Sequence, residues 1–314
     1  MALLTLYTHL KSFQDPHIAR IQRNAVRSWL KLEPTPAILV FGDAPGVEEH
    51  CAAFGLTRVR EPLERVDKTA VRLRDMAVRA EAISDSQFYC YINGDIILTG
   101  SLTKAIPMVR SKFAHFFLGA SPWNVEITED LDFQSGWEQD LERRAREADD
   151  QRSRVSTDIF LYTKGFLANM PDLVIGRNYV DNGLMWYIRS QGKALVDGTP
   201  GIFTVHQHHD YRHLGDKAKN IGESDGALWN VRAVGGRNHL YTFANATDHY
   251  TEEGVRPYWA GRFTRWSTHL VAGSPRAKRF HSFWTGLAKW TGPFRRRLGL
   301  VNPRSPSKQG SITK

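Results

Sequence analysis

Cysteine is scarce in this chain, and long apolar runs are missing from it. Only Cys51 and Cys90 occur in 314 residues. Each is isolated in a pattern that reads as core, so neither a disulfide framework nor a zinc-finger spacing can be assembled, and the pair points to a reducing compartment. No hydrophobic run approaches the roughly 20 residues a spanning helix needs. The opening MALLTLYTHLKSF has no basic n-region and no extended apolar core, which reads as no cleaved signal. Before residue 270 there is no internal repeat and no low-complexity block. Acid is absent from one region only: residues 271–314 hold ten of the 42 basic residues and none of the 33 acidic ones. Residues 1–270 thus carry 32 bases against 33 acids, and the net charge of +9 belongs to the tail. A nucleic-acid-binding body would carry its basic footprint on the folded domain itself, so no nucleic-acid partner is expected. With 41% hydrophobic and 24% charged residues the chain is globular in composition, which excludes wholesale disorder.

What is present is an alternation of short β-like runs and helical patterns. Leu3–Thr8 reads as a buried strand, and a helix over His17–Leu32 follows with Ile18, Ile21, Ala25 and Trp29 on one face. Ala37–Phe41 is a second strand, closed by Gly42-Asp43-Ala44-Pro45-Gly46. A short helix runs to Phe54 with Gly55 as its stop. Thr69 reads as the N-cap of a helix reaching Ile83, and Phe88–Ile92 as another buried strand. The alternation implies a mostly parallel sheet with helices on both faces, whose ligands bind beyond the carboxyl ends of the strands. The loops after Thr8, Phe41 and Ile92 are the places for a site. Farther along, Phe113–Gly119, Thr157–Tyr162, Ala194–Val196 and Ile202–His206 read as strands and Trp123–Phe133 as irregular. Ser135-Gly136-Trp137-Glu138 reads as a capping box opening a helix to about Asp150, and another helix starts near Asn178.

Three segments carry chemistry. Tyr91-Ile92-Asn93-Gly94-Asp95-Ile96-Ile97-Leu98 sets a carboxylate between two apolar runs at the end of a central strand, where it needs a cation or a donor. A hard divalent ion shared with diphosphate oxygens would supply one; Asn-Gly is equally a hairpin dipeptide. In Val205-His206-Gln207-His208-His209-Asp210-Tyr211, His206 and His208 share a strand face and His209 faces the other way, as ligands for a manganese- or zinc-type ion or as a solvated loop. In Ile175-Gly176-Arg177-Asn178-Tyr179-Val180-Asp181-Asn182, Asn178 reads as an N-cap with Asp181 at the third helical position. There Asp181 serves the helix dipole or acts as a general base facing the cleft.

Taken in order, these segments resemble the GT-A glycosyltransferases, whose usual pattern is a DxD motif, a later xED motif and a carboxy-terminal His. Asn93-Gly94-Asp95 matches DxD with Asn for the first acid, Val180-Asp181-Asn182 matches xED in part, and His206 matches the His. The wording IQRNAVRSWLKL, YINGDIIL, STDIFLYTKG, IGRNYVDNGLMW and TVHQHHDY is similar to a little-described group of bacterial and plant GT-A-like proteins, over about residues 1–215. The resemblance implies a GT-A, Rossmann-like fold: a mixed, mostly parallel sheet flanked by helices, occupying residues 1–270. It implies transfer of a sugar from a nucleotide-diphosphate sugar, a UDP-sugar above all, to an acceptor hydroxyl on a glycan or lipid-linked acceptor, with inversion. Asp95 and His206 would hold Mn²⁺ or Mg²⁺ against the diphosphate, and Asp181 would deprotonate the acceptor. Asn93 would meet the ribose and Asp43 the base edge; Lys68 and Arg72 would approach phosphates, and Arg177 the diphosphate or an anionic acceptor. Thr8, ending the first strand, and Gly94, inside the motif, complete the donor-binding set.

Other classes share parts of this pattern. A nucleotidyltransferase would carry a glycine-rich signature near the start, and His9-Leu10-Lys11-Ser12-Phe13 has no glycine. A metal-dependent hydrolase would use His206, His208 and His209. A non-catalytic GT-A-like scaffold would use the fold alone. Residues 271–300 add Phe280, Phe283, Trp284, Leu287 and Trp290 at helical spacing, followed by Arg295-Arg296-Arg297. That is the pattern of an amphipathic helix at an anionic membrane surface, or of a helix packed on the body. The first alternative places the protein at the cytoplasmic face of the inner membrane; residues 301–314 read as disordered.

Overall fold

The computed structural model of the chain describes residues 2–66, 70–208 and 222–259. Expectations resting on Lys68, Thr69, His209 and the segment from residue 271 onward lie outside them. In chain order the strands and helices are β1 (Ala2–His9), α1 (Pro16–Leu30), β2 (Ala37–Phe41), α2 (Val47–Phe54), β3 (Thr57–Val59), α3 (Leu73–Ile83), β4 (Ser86–Ile92), β5 (Ile96–Leu98), α4 (Gly100–Lys112), β6 (Phe116–Gly119), β7 (Trp123–Val125), α5 (Trp137–Ala148), β8 (Ile159–Thr163), α6 (Val180–Ser190), β9 (Ala194–Asp197), β10 (Thr204–Gln207), α7 (Asp225–Ala233), β11 (Asp248–Thr251) and β12 (Gly254–Pro257).

The central strands are apolar on both faces because both faces are covered. Leu4 and Leu6 of β1, Ile38 and Val40 of β2, and Phe88, Cys90 and Ile92 of β4 enter one core, where α1 adds Ala25, Val26 and Trp29 and α4 adds Leu102, Ile106 and Val109. Their alternating neighbours Tyr7, Leu39, Phe41, Tyr89 and Tyr91 enter the other, with Met76 and Ala80 of α3 and Leu184, Met185 and Ile188 of α6. The period of two along each strand makes this division. Both cysteines are buried and free, as their pattern suggested.

The larger sheet has the order β12-β11-β9-β6-β8-β4-β1-β2-β3. Its ladders are parallel except where β8 meets β4 and β6 and where β12 meets β11. This is the mixed, mostly parallel α/β sheet flanked by helices that the sequence led us to expect. Strands β2 and β3 lie on one side of β1 and β4 lies on the other, so the order reverses between β1 and β4. Open α/β sheets bind their ligands at such a reversal, outside the carboxyl ends of the strands. A second sheet, β5-β10-β7, sits against this point; His206 of β10 stands opposite Ile96 of β5 and Asn124 of β7.

Several local expectations are corrected. Trp123–Phe133 is not wholly irregular, since β7 occupies its start. Helix α6 begins one residue later than expected: Tyr179, at φ 71, is the N-cap and its carbonyl accepts from Gly183 N, while Asn178 O is taken by Asn230 Nδ2. Asp181 is therefore the second helical residue. The capping box at Ser135–Glu138 does not form, because Gly136 (φ 86) caps α5 without a side-chain bond. Glu138 instead reaches across to accept from Gly100 N at 2.7 Å, capping α4, whose own first turn has no acid and whose N-cap Thr99 makes no side-chain cap. Replacing it, Glu138→Ala, is expected to cost about 1 kcal/mol in urea unfolding, with Glu138→Gln losing less.

No helix among the described residues is long and apolar enough to cross a membrane.

Candidate functional site

The site is braced by helix α1, whose buried face carries three polar residues among the apolar ones. Ser28 Oγ accepts from Leu98 N and Trp29 Nε1 donates to Ile96 O at 2.8 Å, which fixes β5 just beyond Asp95. Asn24 donates to Gln207 Oε1 and to Glu129 O, while Gln207 Nε2 donates to Ile21 O and to Asp95 O. Gln22 clasps Lys11 through both its backbone groups, holding the loop after β1. Buried polar side chains are retained when every one is partnered, and here they tie the β1, β4 and β10 ends to one helix.

On this support Asp95 and His206 face each other, with His206 Nε2 and Asp95 Oδ2 at 3.6 Å. That is an ion-pair separation, too long for a direct hydrogen bond. Asp95 keeps a 17% exposed side chain, so it is reachable from solvent, whereas His206 is buried. One carboxylate and one imidazole fit a hard divalent cation whose other positions go to phosphate oxygens and water. Among the described residues no group of three or more His, Cys, Asp or Glu could hold a metal. His208 lies beyond the end of β10 and is exposed.

Asn93 does not stand alone. The β4–β8 ladder pairs Ile92 with Ile159, and the next step brings Asn93 to Asp158, where Asn93 N donates to Asp158 O at 3.2 Å. Asn93 Nδ2 donates to Asp158 Oδ1 and Tyr91 Oη to Asn93 Oδ1, both at 2.8 Å. Arg152 closes the circuit, donating to Asp158 Oδ2 at 2.7 Å and to Asn124 Oδ1 at 3.0 Å. Asn124 neighbours His206 in the small sheet. Neither Asp158 nor Arg152 is a candidate on sequence grounds. The only signal is an acid in Ser156-Thr157-Asp158 immediately before a buried strand.

Asp181 reaches the same neighbourhood. Its Oδ2 accepts from the backbone of Thr157 at 3.0 Å, one residue before Asp158. Burial pushes its carboxyl up to about 7, against the lowering effect of that N–H, and the charge of Asp158 pushes the same way. A carboxyl that ionises near neutrality is suited to general-base work.

The other sequence candidates stand in separate local settings. Thr8 is buried at the end of β1, and its Oγ1 has no hydrogen-bond partner among the described residues. His9 follows it with a buried, equally partnerless Nε2, and burial together with Arg65 lowers its pKa. Asp43 is exposed and pairs with Arg65 at 3.5 Å. Arg72 is engaged by Glu64 and Asp172. Arg177 donates to Gly176 O and lies across Gly226 of α7, where any Cβ would meet its stem at 2.6 Å. Gly94 is pressed by Leu10, whose Cδ2 a Cβ would meet at 2.8 Å, and by Gln22. Gly94→Ala is expected to displace the loop after β1, costing about 1–2 kcal/mol in denaturant unfolding.

Two concavities lie elsewhere. One of about 230 Å³ is lined by His115, Lys164, Tyr187 and Lys193, and one of about 370 Å³ by Asp130, Trp137, Leu141 and Arg144. Neither includes Asp95, His206 or Asp181. The convergence of partnered charges, and not cavity size, marks the site.

No protein-family model matches the chain, and no curated protein matches it. Solved structures of glucosyl-3-phosphoglycerate synthase from Mycobacterium tuberculosis are similar in architecture. A complex with Mn²⁺, UDP and phosphoglyceric acid is 12% identical over 75% of this chain and 79% of that one, at a TM-score of 0.46. A complex with Mg²⁺ and UDP is 12% identical over 75% and 80%, at 0.47, and one with Mn²⁺, UDP-glucose and phosphoglyceric acid is 13% identical over the same shares, at 0.45. A likeness this low transfers neither residues nor activity to this chain.

Proposed function

We propose that the chain is a nucleotide-sugar-dependent glycosyltransferase of GT-A type. The observation that carries this reading is the pairing of Asp95 with His206 at the carboxyl edge of the sheet where the strand order reverses, an edge linked through Asn93, Asp158 and Thr157 to Asp181. A diphosphate donor suits that place. Thr8 and His9 offer unused polar atoms to its nucleoside, and the Asn93 amide, already oriented by Tyr91 and Asp158, offers a donor to its ribose. Asp95 and His206 would hold Mn²⁺ or Mg²⁺, which when bound neutralises charge on the departing diphosphate.

The chain's own residues perform the rest. Asp181, ionised above about pH 7, takes the proton of an acceptor hydroxyl. The oxygen so freed attacks C1 of the sugar, and the electrons of the C1–O bond leave with the nucleoside diphosphate. A base on the face opposite the leaving group gives inversion. A hydrolase built on His206, His208 and His209 finds less support, because His208 is exposed and joins no ligand group among the described residues. The acceptor as a glycan or lipid-linked hydroxyl, and a peripheral site at an anionic membrane through residues 271–300, rest on sequence pattern alone. Truncation after residue 273 is expected to release the protein from anionic vesicles without unfolding it, as read by co-sedimentation and circular dichroism.

The direct test is thermal shift with UDP, GDP, CDP and ADP, each with and without Mn²⁺. Stabilisation by one nucleotide that depends on Mn²⁺ is the expected result, since a ligand binding only the folded chain adds RT ln(1 + [L]/Kd). No response to any of them removes the reading.

A further inference from the structure

We infer that Asp158 is a positioning residue of this site: from the start of β8 it locks the Asn93 amide across the ladder and sets a fixed negative charge beside Asp181. Its consequence for catalysis rests on the glycosyltransferase reading; its geometry does not. Both carboxylate oxygens are committed, Oδ1 to Asn93 at 2.8 Å and Oδ2 to Arg152 at 2.7 Å, and its carbonyl takes Asn93 N. Asp158 is thus held at both oxygens by side chains of the protein, and its work is done through these neighbours. With Tyr91 Oη on Asn93 Oδ1, only one orientation of the Asn93 amide satisfies every partner. The remaining N–H of that amide is the one donor left over, and its direction is set by Asp158. On the other side Thr157, the preceding residue, donates its N–H to Asp181. The same two-residue stretch thus fixes the position of the base and supplies the charge next to it. Facing Asp181 are this carboxylate and the backbone N–H groups of Thr157, Asn182 and Asp181 itself, while Arg152 holds Asp158 at Oδ2.

The cross-strand pair suggests a replacement test on the full-length chain. Asp158→Asn removes the carboxylate and leaves two amides facing each other, so binding of UDP with Mn²⁺ is expected to weaken about tenfold, the loss of one charge-assisted hydrogen bond. Asp158→Glu keeps a carboxylate at the position and is expected to weaken binding less than Asp158→Asn does. Independently, ¹³C-carboxyl NMR of aspartate-labelled protein reads the midpoint of Asp181, assigned by its absence in Asp181→Asn. In Asp158→Asn the midpoint should fall, because the neighbouring charge is gone, and in Asp158→Glu it should stay raised. Binding of UDP with Mn²⁺ unchanged in Asp158→Asn overturns the inference, and so does an unmoved Asp181 midpoint. If the parent itself binds no UDP with Mn²⁺, the glycosyltransferase reading fails instead, and the NMR midpoint alone decides the role of Asp158.

Discussion

Asp181→Asn is expected to slow sugar transfer by about 10²–10⁴-fold, the usual worth of a general base, while UDP and Mn²⁺ still bind within about threefold of the parent. The amide keeps the shape and can still accept from Thr157 N but cannot take a proton. The parent rate should rise with pH through about 7 and level off above it, because the reactive form is the carboxylate. Stability moves in the opposite sense. The folded chain retains the Asp181 proton up to about pH 7, whereas the unfolded chain releases it near the ordinary carboxylate value. Between those limits the folded state binds more protons, so this group makes stability fall as pH rises. The full penalty is present above pH 7 and amounts to roughly 4 kcal/mol. Asp181→Asn should therefore be more stable than the parent at pH 8 and no different at pH 4, as read by urea unfolding. A variant both inactive and destabilised at pH 8 would make Asp181 a structural residue.

Asp95→Ala is expected to remove the Mn²⁺-dependent part of nucleotide stabilisation. At nucleotide about 100-fold above its Kd in Mn²⁺ the whole stabilisation is about 2.7 kcal/mol, and the share of it that needs Mn²⁺ is what the variant loses. The turn should survive, because its main chain is held independently: Asp95 O takes both Gln207 N and Gln207 Nε2, and Ile96 O takes Trp29 Nε1. Nucleotide binding that still responds fully to Mn²⁺ in this variant would take the metal away from Asp95. His206→Ala should give a smaller loss, since a neutral ligand contributes no charge to the pairing.

The sheet was legible because its central strands are buried on both faces and so read as unbroken apolar runs between turn signals. The three-residue β5 and β7 are too short to show a period, and β7 earns its place by pairing with β10, far along the chain. The boundaries that failed did so for tertiary reasons. Asn178 has the chemistry of a cap, but Asn230 takes its carbonyl. Glu138 has the spacing of a capping box, but the end of another helix is within reach. At the candidate site, acids and imidazoles announce themselves by type, so Asp95, Asp181 and His206 were singled out as candidates. Asp158 and Arg152 were not, because what distinguishes them is a cross-strand neighbour 65 residues away for one and a two-pronged contact for the other. The buried amides of Asn24 and Gln207 were equally silent, since glutamine and asparagine in a helix or strand carry no period of their own.

Because α1 grips the ends of β1, β4 and β10 at once, the wall that would receive the donor behaves as one stiff part. Directed evolution toward a different acceptor should then accumulate its changes on the opposite wall, along residues 152–158 and the start of α6, and should leave Gln22, Asn24, Ser28 and Trp29 untouched.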